Sequence, residues 1–151
     1  VQSIADKVKE EIGNIPLLLK IGYFEDDVFL RKYVQTLGGI VDGFSAINTI
    51  QAKVFTTLGE QALPGEGRLH SGICGSPIRW AGLEMTRKLH KLRQEMGLNY
   101  KIIGHGGVIM AQDYQAYIRA GADAVTSSTG SIWNPLLAQE IKQEHFGKFS
   151  A

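Results

Sequence analysis

The sequence predicts an α/β fold built on a parallel sheet, and three observations predict it. Short apolar or β-branched runs alternate with longer segments of helical periodicity. The stretch Ile15-Pro16-Leu17-Leu18-Leu19-Lys20-Ile21 is apolar throughout except for its lysine, the pattern of a strand covered on both faces. The ends of the runs collect small and polar residues: Lys20, Asn48-Thr49, Gly106-Gly107 and Ser128-Thr129. Working groups in parallel α/β folds lie at the carboxyl ends of strands, so these clusters are expected on one rim.

Each element follows from local chemistry. Residues 3–12 carry Ile4, Val8 and Ile12 in a helical stripe, and Gly13-Asn14 stops it. A strand over 17–21 comes next. Asp26 or Asp27 caps a helix reaching Leu37, with Val28, Leu30, Val34 and Leu37 expected to face inward and Gly38-Gly39 to end it. A second strand spans 41–46. The glycine-rich stretch 51–74 reads as a long irregular loop of the kind that covers a site. Pro77 suits the start of a helix running to Met96, where Gly97 stops it. A strand at 101–104, a helix over 111–120 and a strand at 124–127 form a βαβ unit, and a last helix runs from near Pro135 to about His145. Four βα units make half of a (β/α)₈ barrel; a flavodoxin-like open sheet is the alternative.

Composition narrows the function classes. The chain has 151 residues and a hydrophobic share of 44%, enough for a core. A formal charge of +1 gives no electrostatic argument for nucleic acid or for a membrane surface. The single cysteine, Cys74, rules out an intrachain disulfide, so a reducing, cytoplasmic setting is expected. No apolar run approaches the roughly 18 residues of a membrane span. The chain starts at Val1 inside a helical pattern, which predicts a fragment or a processed product.

The strongest chemical signal is the pair of loops Gly104-His105-Gly106-Gly107 and Ser127-Ser128-Thr129-Gly130. Two adjacent small-residue loops leave backbone N–H groups free to converge on a phosphate, although glycine is also common in ordinary βα turns. Lys20 is either a lysine emerging at the sheet rim or a cation placed to stabilise an anionic ligand. Asn48 and Thr49 suit a planar polar ligand, or a plain turn. Cys74, in Gly72-Ile73-Cys74-Gly75, has no His–Asp arrangement nearby in sequence and reads as a small residue in a tight loop. His105, between glycines, is either a ligand contact or a structural imidazole, and no spacing supports a metal site.

Leu19-Lys20-Ile21, Asp42-Gly43 followed by Asn48-Thr49, Gly72-Ile73-Cys74-Gly75-Ser76-Pro77, the run from Ile102 to Val108, and Ala120 to Gly130 with Pro135 together resemble the C-terminal half of the dihydroorotate dehydrogenases. These are flavin-dependent (β/α)₈-barrel enzymes of pyrimidine synthesis. The resemblance spans essentially the whole chain, so residues 1–151 are expected to be the C-terminal half of an FMN-binding barrel domain. Lys-Ile-Gly-Tyr-Phe-Glu and Asn-Thr-Ile resemble the soluble class 1 branch more than the membrane-associated one. The resemblance implies FMN contacts at Lys20, Ile47 (through its backbone), Gly75, Gly106, Gly107, Ser128 and Thr129. It implies dihydroorotate or orotate at Asn48 and Thr49. Another phosphate- or flavin-binding barrel enzyme and a non-catalytic half-barrel module are the alternatives.

The sequence also departs from the family pattern. Cys74 stands where a small hydroxyl or glycine is usual, and His105 where a small or aliphatic residue is common. The family's catalytic base, a Cys or Ser, belongs to the first half of the barrel, so no catalytic residue is expected in this chain. Open strand edges predict association with the missing N-terminal half, or with a second copy in a homo-oligomer.

Overall fold

The computed structural model of the chain describes residues 1–146. Residues 147–151, the end of the expected domain, lie outside the described residues. Helix α1 (Gln2–Ile12) leads to strand β1 (Leu18–Ile21), helix α2 (Asp27–Leu37) and strand β2 (Gly43–Ala46). Strands β3 (Ile50–Lys53) and β4 (His70–Ile73) follow, then helix α3 (Arg79–Met96), strand β5 (Lys101–His105), helix α4 (Ala111–Arg119) and strand β6 (Ala124–Thr126). Helices α5 (Thr129–Trp133) and α6 (Leu137–Phe146) complete the described chain.

The main sheet runs β1-β2-β5-β6, with every neighbouring pair parallel. Strands laid down in chain order with no reversal are what a barrel arc requires, whereas a doubly wound sheet reverses its order at a switch point. The flavodoxin-like alternative is therefore set aside. Register explains which face is packed. Leu19, Phe44 and Ile102 are cross-strand partners, with Phe44 and Ile102 fully buried. The adjacent row, Lys20, Ser45, Ile103 and Ala124, has no fully buried member. Successive strand residues point to opposite faces. One face is therefore packed and the other open, and the expectation of a β1 strand covered on both faces is corrected: Leu18 is 47% exposed.

The core lies between the packed face and helices α2 and α3. Phe44 meets Tyr100 edge to face at a centroid distance of 4.8 Å. Asp26 caps α2 as expected, its Oδ1 accepting from the amides of Val28 and Phe29 at 2.8 and 3.1 Å. Leu30, Val34 and Leu37 are buried as expected, but Val28, in the first turn, is 78% exposed. The α1 stripe is also mostly exposed: α1 docks through the small Ala5 and through Lys9 Nζ, which donates to Asp42 Oδ2 at 2.6 Å.

The stretch 51–74 is not irregular throughout. Strands β3 and β4 pair antiparallel, Ile50 opposite Ile73 and Lys53 opposite His70. Pro77 lies in a short 3₁₀ turn, Ser76–Ile78, which leads into α3. Among the described residues, no helix is long and apolar enough to cross a membrane.

Candidate functional site

A cavity of about 320 Å³ opens at the carboxyl ends of the parallel strands, within the size range of small-molecule sites. All nine residues expected to hold a ligand line it: Lys20, Ile47, Asn48, Thr49, Gly75, Gly106, Gly107, Ser128 and Thr129. They come from the ends of β1, β2, β5 and β6 and from the turn after β4, so only the fold brings them together.

Lys20 lies on the open face of the sheet, and among the described residues no carboxylate pairs with it. An unpaired cation at a cavity wall favours an anionic group in that cavity. Asn48 and Thr49 follow β2 directly, with the Asn48 amide tied to the Ile21 carbonyl at 2.9 Å. The Ala46–Ile47 peptide bond is cis. The Ile47 amide donates to the His105 carbonyl at 2.8 Å, which leaves the Ile47 carbonyl as its backbone group for a ligand.

The glycine loop after β5 is shaped by contacts that no local pattern announces. Tyr117 is fully buried and donates to the Gly106 carbonyl at 2.7 Å. Burial raises its phenol above the usual range, so it remains a donor. A Cβ at Gly104 would sit 2.4 Å from the Tyr117 ring and one at Gly82 would sit 1.9 Å from its hydroxyl, so both positions need glycine for the ring to seat. Asp113 pairs with Arg79 and accepts from the Ile109 amide at 3.0 Å, fastening the loop's far end to α3. Ser127 Oγ donates to the Val108 carbonyl at 2.7 Å, joining the two small-residue loops.

These fastenings leave the donors free. Among the described residues nothing accepts from the amides of Gly106, Gly107, Ser128 or Thr129, and Ser128 and Thr129 open α5. Gly107 has a φ of +71°, and a Cβ there would lie 2.8 Å from both Arg79 Cβ and the Gly75 carbonyl oxygen. Free amides, small residues and a nearby cation fit the phosphate and ring of a nucleotide-like cofactor.

Cys74 and His105 also line the cavity. The Thr129 hydroxyl donates to Cys74 Sγ at 3.5 Å, which puts the thiol at the loop-and-α5 end of the cavity. The His105 ring meets Thr126 Oγ1 through Nδ1 at 2.6 Å. Burial, and then the charge of Lys20, hold this imidazole below the usual histidine range, so it is neutral at pH 7. Among the described residues no group of three His, Cys, Asp or Glu side chains is placed to hold a metal. Sequence reasoning missed Tyr117, Asp113 and Arg79; their signals are a buried tyrosine and an ion pair that exist only once α3 and α4 pack.

The chain is similar to known proteins in sequence and in fold. A sequence profile described as dihydroorotate dehydrogenase matches residues 1–146. A dihydroorotate dehydrogenase of Dictyostelium discoideum is 30% identical over 143 residues, covering 93% of this chain and 39% of that protein. A quinone-type dihydroorotate dehydrogenase of Paracidovorax citrulli is 35% identical, covering 93% of this chain and 38% of that protein. The catalytic subunit of an NAD(+)-type enzyme from Oceanobacillus iheyensis is 30% identical, with 93% and 45% covered. The crystal structure of an Eimeria tenella dihydroorotate dehydrogenase in complex with ferulenol superposes with a TM-score of 0.67 at 24% identity, over 85% of this chain and 33% of that one, which supports the barrel fold. The chain thus spans 38% to 45% of the length of these three curated relatives. With a family profile running along nearly all of its length, the chain belongs to the dihydroorotate dehydrogenase family.

Proposed function

We propose that this chain is the C-terminal half of an FMN-dependent oxidoreductase that converts dihydroorotate to orotate in pyrimidine biosynthesis. One observation carries the reading: the seven residues expected at separate strand ends, with Ile47 and Gly75 from the resemblance, line a single cavity. The amides of Gly106, Gly107, Ser128 and Thr129 hold the FMN phosphate, while Ile47 and Gly75 border the flavin through their backbones. Asn48 and Thr49 bind the pyrimidine through its amide and carboxylate groups. Lys20 stabilises negative charge as it develops on the ring side of the cavity. When bound, FMN supplies the two-electron acceptor for oxidation of the dihydropyrimidine C5–C6 bond.

The base that takes the C5 proton is assigned to the part of the barrel outside this sequence. Cys74 is not given that role: the family resemblance puts the base in the first half of the barrel, and the Cys74 thiol accepts from the Thr129 hydroxyl. The open face, and the unpaired outer edges of β1 and β6, suit closure by the rest of the barrel or by a second copy. A lone cysteine and the expected pathway suit a cytoplasmic protein.

Two measurements test this reading. The full-length protein purifies with a flavin absorption spectrum and oxidises dihydroorotate; a colourless protein that takes up no FMN would overturn it. Flavin binding without dihydroorotate oxidation would instead point to another flavin oxidoreductase of the same fold. Residues 1–151 expressed alone are expected to self-associate in light scattering and to show no turnover with added FMN. An inert, well-folded monomer would refute the edge argument, and turnover would refute the placement of the base.

A further inference from the structure

His105 has three fixed points and one free one. Its carbonyl accepts from the Ile47 amide at 2.8 Å and from the Tyr117 hydroxyl at 3.3 Å, so the backbone is held from β2 and from α4. Its ring is held from β6, through Nδ1 and Thr126 Oγ1 at 2.6 Å, on residues that are register partners. Nε2 has no partner among the described residues and is not a buried orphan, while the residue lines the cavity. His105 shares the open face of the sheet with Lys20, since it lies two residues beyond Ile103, a member of the Lys20 row, on the same strand.

Resting on the flavin reading above, we propose that His105 is a ligand-contacting residue of this cavity, presenting Nε2 to the edge of the bound flavin ring while Thr126 fixes its orientation. A ring tied at one nitrogen and open at the other has a defined direction, as imidazoles held by an outer partner do at other sites. The charged group facing it is Lys20 on β1; β6 contributes the neutral Thr126 hydroxyl, α4 the protonated Tyr117 phenol, and Cys74 lines the same cavity. Burial and the Lys20 charge both disfavour the imidazolium, so the contact is a neutral hydrogen bond beside a cation. Such a bond adds affinity and direction without a second charge.

The test titrates the full-length apoprotein with FMN and with riboflavin, following the flavin fluorescence. Riboflavin lacks the phosphate, so a ring contact weakens both ligands by the same factor, whereas a disturbed phosphate loop weakens FMN alone. His105→Ala is expected to lower both affinities by roughly 3- to 10-fold, as for one neutral hydrogen bond. His105→Gln, whose amide reaches the position of Nε2, restores most of the loss. His105→Asn, whose amide mimics only Nδ1, does not, and the melting temperatures of Gln and Asn variants stay alike. Unchanged affinities in His105→Ala, a loss confined to FMN, or equal rescue by Asn and Gln would each overturn the proposal and leave the flavin reading standing. A wild-type protein that binds neither flavin would overturn both.

Discussion

Gly107→Val in the full-length protein is expected to give an apoprotein that no longer retains FMN. The φ of +71° at this position is one that a β-branched residue essentially never adopts. The first atom of any side chain there would lie 2.8 Å from Arg79 Cβ and from the Gly75 carbonyl oxygen. Neither neighbour yields easily: Arg79 opens α3 and is paired with Asp113, and Gly75 leads into the 3₁₀ turn. Left-handed strain alone costs on the order of 1–3 kcal/mol. Relief by loop movement would pull the Gly106 and Gly107 amides out of line, so flavin affinity should fall by more than about tenfold. Absorbance at the flavin band after desalting, with a melting curve to confirm folding, measures it. Full retention of flavin by a folded variant would remove the phosphate assignment.

Lys20→Ala is expected to slow flavin reduction by dihydroorotate far more than it weakens substrate binding. The ammonium faces the cavity without a carboxylate partner among the described residues, so its charge is free to respond to the ligand. An interaction that grows as negative charge develops lowers the catalytic rate rather than simply raising KM. By analogy with the loss of one oxyanion donor, the expected cost is about 2.7–4 kcal/mol, or about 10²- to 10³-fold in rate. Asn48→Ala is the contrasting variant, expected to act mainly on dihydroorotate affinity. Stopped-flow reduction of Lys20→Ala at the wild-type rate would make Lys20 a simple rim lysine.

Much of this site was legible because its residues mark strand ends, and strand ends are visible in a sequence. Lys20, Asn48-Thr49 and the two small-residue loops each follow an apolar run, and parallel topology then sends them to one rim. What stayed hidden depends on contacts between elements. Nothing local links Tyr117 to Gly82 and Gly104, yet its ring fills the space those glycines leave and its hydroxyl sets the Gly106 carbonyl. The hairpin was obscured for a different reason. Ile50-Gln51-Ala52-Lys53 alternates as a strand should, but its partner His70-Ser71-Gly72-Ile73 has little strand propensity and is held by register alone. Helix α5 is only a single turn or so, too short for periodicity to reveal.

That hairpin works as a spacer of fixed length. Its paired stem binds Ile50 to Ile73 and Lys53 to His70, and the ladder continues where the Val54 amide donates to the Leu69 carbonyl at 2.9 Å. The cavity residues hang from the base of this stem, Asn48-Thr49 on one side and Cys74-Gly75 on the other. The distal part, where Leu58 is 82% exposed, contributes none of the residues that line the cavity. Residues added or removed at that tip leave the stem register untouched, because loop length adds only slowly to the entropy of closure. A slip of one position in the stem, by contrast, turns every side chain in it to the other face and shifts one cavity wall along the other. The tip is therefore the position for inserting a tag or a fluorophore, and the stem is where sequence drift is constrained by the chemistry below it.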